Sequence, residues 1–288
     1  MKQRVYLDRI KEDNKIKNMK LKDWIKTNSK TYTDTDLRYL LKNVISDYIS
    51  PISNSGDILN LDQHQRLSRV TQRYEQGVPL AYILGKEEFY GLEFKVSPDV
   101  LIPRKETEII VEKAINVIKS NNLSNILDLG CGCGNIGITL ARESDREICC
   151  SDISKEALGL AYENAQNHKV TMNFVNADLF SGFKENSFDL IISNPPYVES
   201  DNIKGSLTYE PRCALWAGKE GLFFLEKIIN KSPKFLLSQG FLILEIGYKH
   251  KQAMKSILDK SNDFSINEWI IDYSGYTRGV VLEKINNG

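Results

Sequence analysis

The front of the chain carries apolar residues at helical spacing. Leu37, Leu40, Leu41, Val44 and Ile45 fall on one stripe of a 3.6-residue period, and Asp34-Thr35-Asp36 ahead of them offer oxygens that can cap a helix start. A second helical stretch runs from Asp62 to Gly77. The Pro-, Ser- and Gly-containing segment Ser50 to Gly56 reads as the loop between them. Residues 19–85 are therefore expected to form a small helical domain. From Glu88 to Val96 the period changes. These residues alternate around Gly91 and are rich in aromatic and β-branched types, which predicts a short hairpin within a linker over residues 86–100.

Beyond the linker the two periods take turns. Glu106 to Ser120 is helical and led by acids that suit its positive N-terminal end. Strand-like apolar runs at Ile126–Leu129, Ile148–Ser151, Thr171–Val175, Leu190–Ser193 and Phe241–Ile246 then alternate with helical stretches starting near Asn135, Ser154, Gly221 and Tyr248. That order is the signature of a parallel sheet with crossover helices, an α/β domain expected over residues 101–288. The last two strand patterns, Phe264–Ile271 and Val280–Lys284, are joined by the turn-rich Asp272 to Tyr276 and predict an antiparallel hairpin at the sheet edge.

Composition narrows the function classes. A chain of 288 residues, 41% hydrophobic, can hold one large domain and a small one. With 38 basic and 38 acidic residues it has no overall field for nucleic acid. Residues 1–85 hold 15 Lys and Arg against 10 Asp and Glu, and residues 1–20 account for 7 and 3 of these. Residues 1–18 read as a charged, flexible extension, with Met19 an alternative start. The opening lacks a secretory apolar core, and Asp8, Glu12 and Asp13 are out of place in a transit peptide. No run reaches the roughly 18 apolar residues of a membrane span, so a cytoplasmic protein is expected. The five cysteines have no CxxC spacing and are expected as reduced thiols. Cys131 and Cys133, without a nearby histidine, do not complete a four-ligand metal site, so no metal is expected.

Candidate chemistry begins at Ile126-Leu127-Asp128-Leu129-Gly130-Cys131-Gly132-Cys133-Gly134, a short apolar strand running into a glycine-rich turn that opens a helix. Such a turn lets the backbone pass close to a ligand at a strand end. Dinucleotide sites use a similar turn, and a purely structural strand-to-helix turn is the plain alternative. Asp128 separates these readings, because a carboxylate there can receive the ammonium of an amino-acid moiety and would repel a pyrophosphate. Asp152, at the end of the next strand, can accept from both hydroxyls of a ribose, or cap a helix, or do both. Asp178 follows the third strand, where it can accept from an adenine amino group with Leu179 against the ring. Three acids at three successive strand ends exceed what capping alone requires. Together they point to an adenosyl ligand with an amino-acid tail.

A second constellation follows the fourth strand: Asn194-Pro195-Pro196-Tyr197. Two successive prolines restrict the backbone and remove two N–H donors, leaving an acceptor-rich turn. The side-chain oxygen of Asn194 and the carbonyl of Pro195 can each accept one N–H of a substrate NH2 group, while Tyr197 stacks on its plane. Taken alone, a buried proline turn would also fit. A planar amide or aromatic amine is a poor nucleophile, so orientation and electrostatics would supply most of the catalysis of methyl transfer from an adenosyl sulfonium.

With these residues in view, the chain from about Met19 to Lys284 resembles the protein-(glutamine-N5) methyltransferases that modify peptide chain release factors. The resemblance includes Pro79 to Gly85, Phe89-Tyr90-Gly91, Leu101-Ile102-Pro103-Arg104-Lys105-Glu106-Thr107-Glu108, the glycine loop, Asn194 to Tyr197, Glu210-Pro211-Arg212-Cys213-Ala214-Leu215 and Gly218 to Leu222. The Asn-Pro-Pro-Tyr motif is shared with DNA adenine and ribosomal RNA methyltransferases. The segments around Pro103-Arg104 and Glu210-Pro211-Arg212 are far more specific. The resemblance implies a Rossmann-like, seven-stranded class I methyltransferase sheet with a small N-terminal helical domain that docks the release factor. It implies S-adenosyl-L-methionine as cofactor, S-adenosyl-L-homocysteine as product, and the glutamine of a class I release factor's Gly-Gly-Gln (GGQ) loop as acceptor. Carried over by position, Gly130, Cys131, Gly132, Cys133, Gly134, Asp152, Leu179 and Asn194 would line the cofactor. Asn194, Pro195, Pro196 and Tyr197 would hold the glutamine amide. Thr107 would face the reaction centre or serve as a helix cap, and Arg104 and Glu106 would form an ion pair or take part in the site. The chain departs from the family at Cys131 and Cys133, where Thr, Ser or Gly is usual, at Lys105 in place of a proline, and at Leu179, where some members carry an aromatic.

Two other function classes compete. A nucleic-acid amine methyltransferase, acting on adenine N6 or guanine N2, could use the same tetrapeptide but would need a basic phosphate-binding surface and, on duplex DNA, a flipped base. Residues 21–85 carry only 8 basic against 7 acidic residues, so direct nucleic-acid binding is not expected. A non-catalytic binder of S-adenosylmethionine would fit the three acids without using the tetrapeptide.

Overall fold

The computed structural model describes residues 19–45, 50, 54, 56–218 and 220–285. The extension expected at residues 1–18, most of the Ser50–Gly56 loop and Lys219 lie outside the described residues. The chain divides into two compact units, one ending at Leu84 and the other beginning at Gly85.

The first unit is helical: α1 (Leu21–Asn28), α2 (Asp34–Val44), α3 (Leu61–Glu75) and the short α4 (Leu80–Leu84). Leu37, Leu40, Leu41 and Val44, the stripe seen in the sequence, pack with Leu21, Trp24, Leu67 and Val70 into one core. Each fully buried leucine contributes on the order of 2 kcal/mol. Capping falls one residue earlier than the sequence suggests. Thr33 is the N-cap of α2, its hydroxyl oxygen accepting from the Asp36 amide at 3.1 Å. At the start of α3, Asn60 and Gln63 form a reciprocal capping box.

The second unit opens with the hairpin β1 (Lys86–Phe89) and β2 (Leu92–Lys95). Its turn residues Tyr90 and Gly91 both have positive φ, 52° and 71°. That backbone twist matches the twist of the strands it joins. After α5 (Lys105–Asn121) the chain alternates β3 (Ile126–Leu129), α6 (Asn135–Ser144), β4 (Ile148–Asp152), α7 (Lys155–Asn167), β5 (Met172–Asn176) and β6 (Phe188–Ser193). It continues through α8 (Arg212–Leu215), α9 (Phe223–Lys231), β7 (Leu236–Glu245), α10 (Lys251–Ser261), β8 (Phe264–Ile271) and β9 (Thr277–Lys284). The seven strands from β3 onward form one sheet in the order β5-β4-β3-β6-β7-β9-β8. β5, β4, β3, β6 and β7 pair in parallel, whereas β9 runs antiparallel to both β7 and β8. The terminal hairpin is thus at the edge as expected, with β9 inserted between β7 and β8.

Two features of this order position the site. The order reverses between β3 and β6, and open α/β sheets bind ligands at such a switch point, beyond the carboxyl ends of the strands. All four residues of β3 are buried, as expected for a strand covered on both faces. α6 crosses so close above it that a Cβ on Gly137 would lie 2.5 Å from Cys150 Sγ and 3.0 Å from Asp128 Oδ2. Only glycine lets α6, and with it the turn that starts it, sit this low.

β7 begins at Leu236, five residues ahead of the Phe241 that its apolar run predicts. Ser238, Gln239 and Gly240 resemble a turn, and Gln239 does adopt a φ of 59°, yet the strand continues through them. Among the described residues, no helix is long and apolar enough to cross a membrane.

Candidate active site

The turn after β3 and the turn after β6 leave adjacent strands in the same direction. Gly130, Gly132 and Gly134 all have positive φ, at 76°, 54° and 82°, so the turn tightens at every second residue in a way side chains rarely tolerate. The Ser151 carbonyl accepts from the amides of Gly130 and Cys131 at 2.8 and 2.9 Å. The Asp152 carboxylate accepts from Gly132 N at 2.9 Å and from Ser154 N at 2.9 Å. Asp152 therefore fixes the turn and α7 together, and each oxygen keeps a lone pair for a further donor. The fully buried Asn164 on α7 holds the far side: its Nδ2 donates to the carbonyls of Cys133 and Lys95 at 2.9 and 3.0 Å.

Thr107, Gly130, Cys131, Gly132, Asp152, Asp178, Leu179, Asn194, Pro195 and Pro196 line one cavity of about 340 Å³. Its remaining walls include the apolar Leu101, Ile153, Phe224 and Ile228. Asp178 is exposed and Leu179 half-buried at a positive φ of 51°. Ser193, at the end of β6, anchors the second turn by donating to Leu129 O at 2.6 Å.

Four expected site residues do not line this cavity: Asp128, Cys133, Gly134 and Tyr197. Asp128, expected to meet an ammonium group, is fully buried beneath the turn. Its Oδ2 accepts from Gly137 N at 2.8 Å, so it caps α6 from below. Burial pushes its carboxyl up to about 7, against the lowering effect of that hydrogen bond. Burial likewise drives the Cys133 thiol up to about 12, so it is protonated at neutral pH. Tyr197, expected to stack on a substrate, instead turns its hydroxyl to Glu245 Oε1 at 2.9 Å and its ring edge-on to His250.

Of the two roles open to Arg104 and Glu106, an ion pair with each other is not formed. Arg104 pairs with the buried Glu210, which accepts in addition from Ile102 N at 3.1 Å. Glu106 faces Arg278 at 3.7 Å. The segments Leu101–Glu108 and Glu210–Leu215 are therefore one structure, joined through Glu210. Its carboxylate shapes the wall that carries Thr107.

Glu245 is a buried acid beside the site that the pattern of three successive strand-end acids does not pick out. It is 1% exposed at the end of β7. Its Oε2 accepts from Thr107 Oγ1 at 2.7 Å and its Oε1 from Tyr197. The signal was an acid at the end of an apolar strand, Phe241 to Ile246, where a charge is almost never buried without partners. The Asn194 Nδ2 donates to the same Thr107 hydroxyl at 3.3 Å.

Residues 107–210 match the family described as methyltransferase small domain. A methyltransferase from Pyrococcus furiosus, 14% identical, superposes with a TM-score of 0.51 over 77% of this chain and 98% of its own, a likeness of fold. The release factor glutamine methyltransferase of Buchnera aphidicola subsp. Baizongia pistaciae is 36% identical over 281 residues, covering 92% of this chain and 100% of its own. That of Fusobacterium nucleatum is 34% identical over 284 residues, covering 96% and 80%. The switch-point cavity, its glycine turn, the Asn194–Tyr197 segment and full-length relatedness lead to one conclusion: the chain belongs to the release factor glutamine methyltransferases.

Proposed function

We propose that this protein methylates the side-chain amide nitrogen of the glutamine in the Gly-Gly-Gln loop of peptide chain release factors, using S-adenosyl-L-methionine. The observation that carries this reading is the sharing of one cavity by two turns. Asn194, Pro195 and Pro196 open onto the same space as Gly130–Gly132 and Asp152. The relatives' name supplies the acceptor, a release factor glutamine.

The residues present suit the cofactor. Asp152 would accept from the ribose hydroxyls, Asp178 from the adenine amino group, and Leu179 and Ile153 would flank the ring. When bound, S-adenosylmethionine supplies an electrophilic methyl group. The protein's own part is to orient the amide. Asn194 Oδ1 and the Pro195 carbonyl accept its two N–H groups, which holds the nitrogen in place and raises electron density on it. No covalent enzyme intermediate is needed, and buried thiols such as Cys133 stay protonated bystanders.

Incubating the purified protein with methyl-labelled S-adenosylmethionine and a mixture of release factor, RNA and DNA tests the reading. Label is expected on the release factor alone. Label on nucleic acid with the release factor blank would establish an adenine or guanine amine methyltransferase instead, and binding without transfer to any of them would establish a non-catalytic binder.

A further inference from the structure

Asn194 can do its proposed work only in one of two orientations. Its carboxamide has an oxygen that accepts and a nitrogen that donates, and a half-turn exchanges them. With nitrogen toward the cavity, it would meet the two N–H donors of a substrate amide with a third donor. Something must hold the oxygen outward.

The geometry points to Glu245 as the positioning residue that sets this orientation, acting through Thr107. The inference rests on the proposed methylation of a glutamine amide. The chain of hydrogen bonds has one direction. An ionised carboxylate only accepts, so at 2.7 Å the Thr107 hydroxyl must donate to Glu245 Oε2. That uses its single proton. Toward Asn194 the hydroxyl then presents only lone pairs, and the group 3.3 Å away must be the NH2. Asn194 Oδ1 is left facing the cavity that Asn194 lines. The other carboxylate oxygen does the same for Tyr197, whose hydroxyl donates to it at 2.9 Å, steadying the far end of the Asn194–Tyr197 turn. Thr107 is 1% exposed and Glu245 equally so, so water does not scramble these directions.

A buried carboxylate without a compensating cation is costly, and this one has little compensation. Burial holds the Glu245 carboxyl up at about 7; Glu106 pushes the same way, while the hydrogen bonds from Thr107 and Tyr197 and the charge of Arg278 oppose it. Across Tyr197 lie Arg104, Arg278 and the ring of His250. His250, lowered by its own burial, titrates below the ordinary histidine range. Protonated Glu245 can donate, and once it donates to Thr107 the hydroxyl proton is free to turn to Asn194 and invert it. The productive direction is therefore present when Glu245 is ionised and lost as pH falls through about 7.

The test compares kcat, KM and their pH dependence for wild type and three variants. Wild type is expected to lose kcat on the acid side with a one-proton limb near pH 7. Glu245→Gln cannot titrate, so its kcat is expected to be about tenfold lower with that limb gone, and its melting temperature at pH 8 equal or higher because a buried charge has been removed. Thr107→Val cuts the relay and is expected to lower kcat by about 100-fold with KM for the release factor little changed, also without the limb. Thr107→Ser restores both. A limb that persists in Glu245→Gln, or wild-type turnover in Thr107→Val, overturns the inference. Lower melting temperatures with the pH profile unchanged in shape would also overturn it, leaving a structural role. A wild-type enzyme that leaves the release factor unmethylated refutes the proposed function instead. The relay is then still read by NMR: the Asn194 side-chain amide resonances should shift with the Glu245 titration in wild type and not in Thr107→Val, and their shifting equally in both overturns it.

Discussion

Asn194→Ala is expected to reduce turnover by about 1000-fold, the upper end for removal of one preorganised hydrogen-bonding group from a reaction centre. Cofactor affinity should change little by comparison, because the groups proposed to bind the ribose and adenine belong to the end of β4 and the turn after β5. Ala removes the only side-chain acceptor that the turn after β6 offers a substrate amide. Pro195 and Pro196 have no N–H to lose, and their backbone stays where Ser193 pins it, through its 2.6 Å bond to Leu129 O. Rapid-quench measurement of a single turnover separates the chemical step from binding. Turnover near the wild-type rate would remove Asn194 from the mechanism.

Asp152→Ala is expected to act on the other half of the site, weakening S-adenosylmethionine by about 100-fold or more. Two hydrogen bonds to a charged acceptor are worth roughly 1.5–3 kcal/mol each, and about 2.7 kcal/mol already amounts to 100-fold. Part of the loss is indirect, since Gly132 N and Ser154 N also lose their acceptor. Asp152→Asn keeps one acceptor oxygen and should fall in between. Helix α7 retains its cap, because the Ser154 hydroxyl oxygen still accepts from Ala157 N at 3.1 Å, so the fold should survive. Calorimetric titration with S-adenosylhomocysteine checks this, and unchanged affinity would refute the ribose assignment.

The parts of this molecule that were legible in the sequence are those governed by local periodicity. β3, apolar but for Asp128 and set between a loop and a glycine turn, and α2, with its regular leucine stripe, could be placed within a residue or two. The terminal hairpin was legible too, because Asp272 to Tyr276 is rich in turn residues, although β9 starts at Thr277, three residues before the expected Val280. β7 was cut short where Gln239 and Gly240 mimic a turn; the register with β6 shifts there, from Phe188 opposite Leu236 to Leu190 opposite Phe241.

The site was legible where motif and ligand meet, and opaque where support comes from far along the chain. Asp152, Asp178 and Asn194 could be picked from strand ends alone, and all three reach the cavity. Asp128 looked the same in sequence yet points into the core, because β-strand side chains alternate faces and a carboxylate inside the strand, before the turn, need not share the face of the cavity. Glu245 and Thr107 are separated by 138 positions, and Arg104 and Glu210 by 106. No spacing rule reaches that far. In each case the isolated sign was an acid whose burial only the tertiary fold could reveal.

The central claim is that the Asn194–Tyr197 turn presents a protein glutamine amide, rather than a nucleobase, to the methyl donor. Tandem mass spectrometry of a release factor treated with the enzyme and S-adenosylmethionine tests it most directly. One added methyl on the side-chain nitrogen of the Gly-Gly-Gln glutamine is predicted. An unmodified glutamine, with the methyl found on another residue or on RNA, would contradict it.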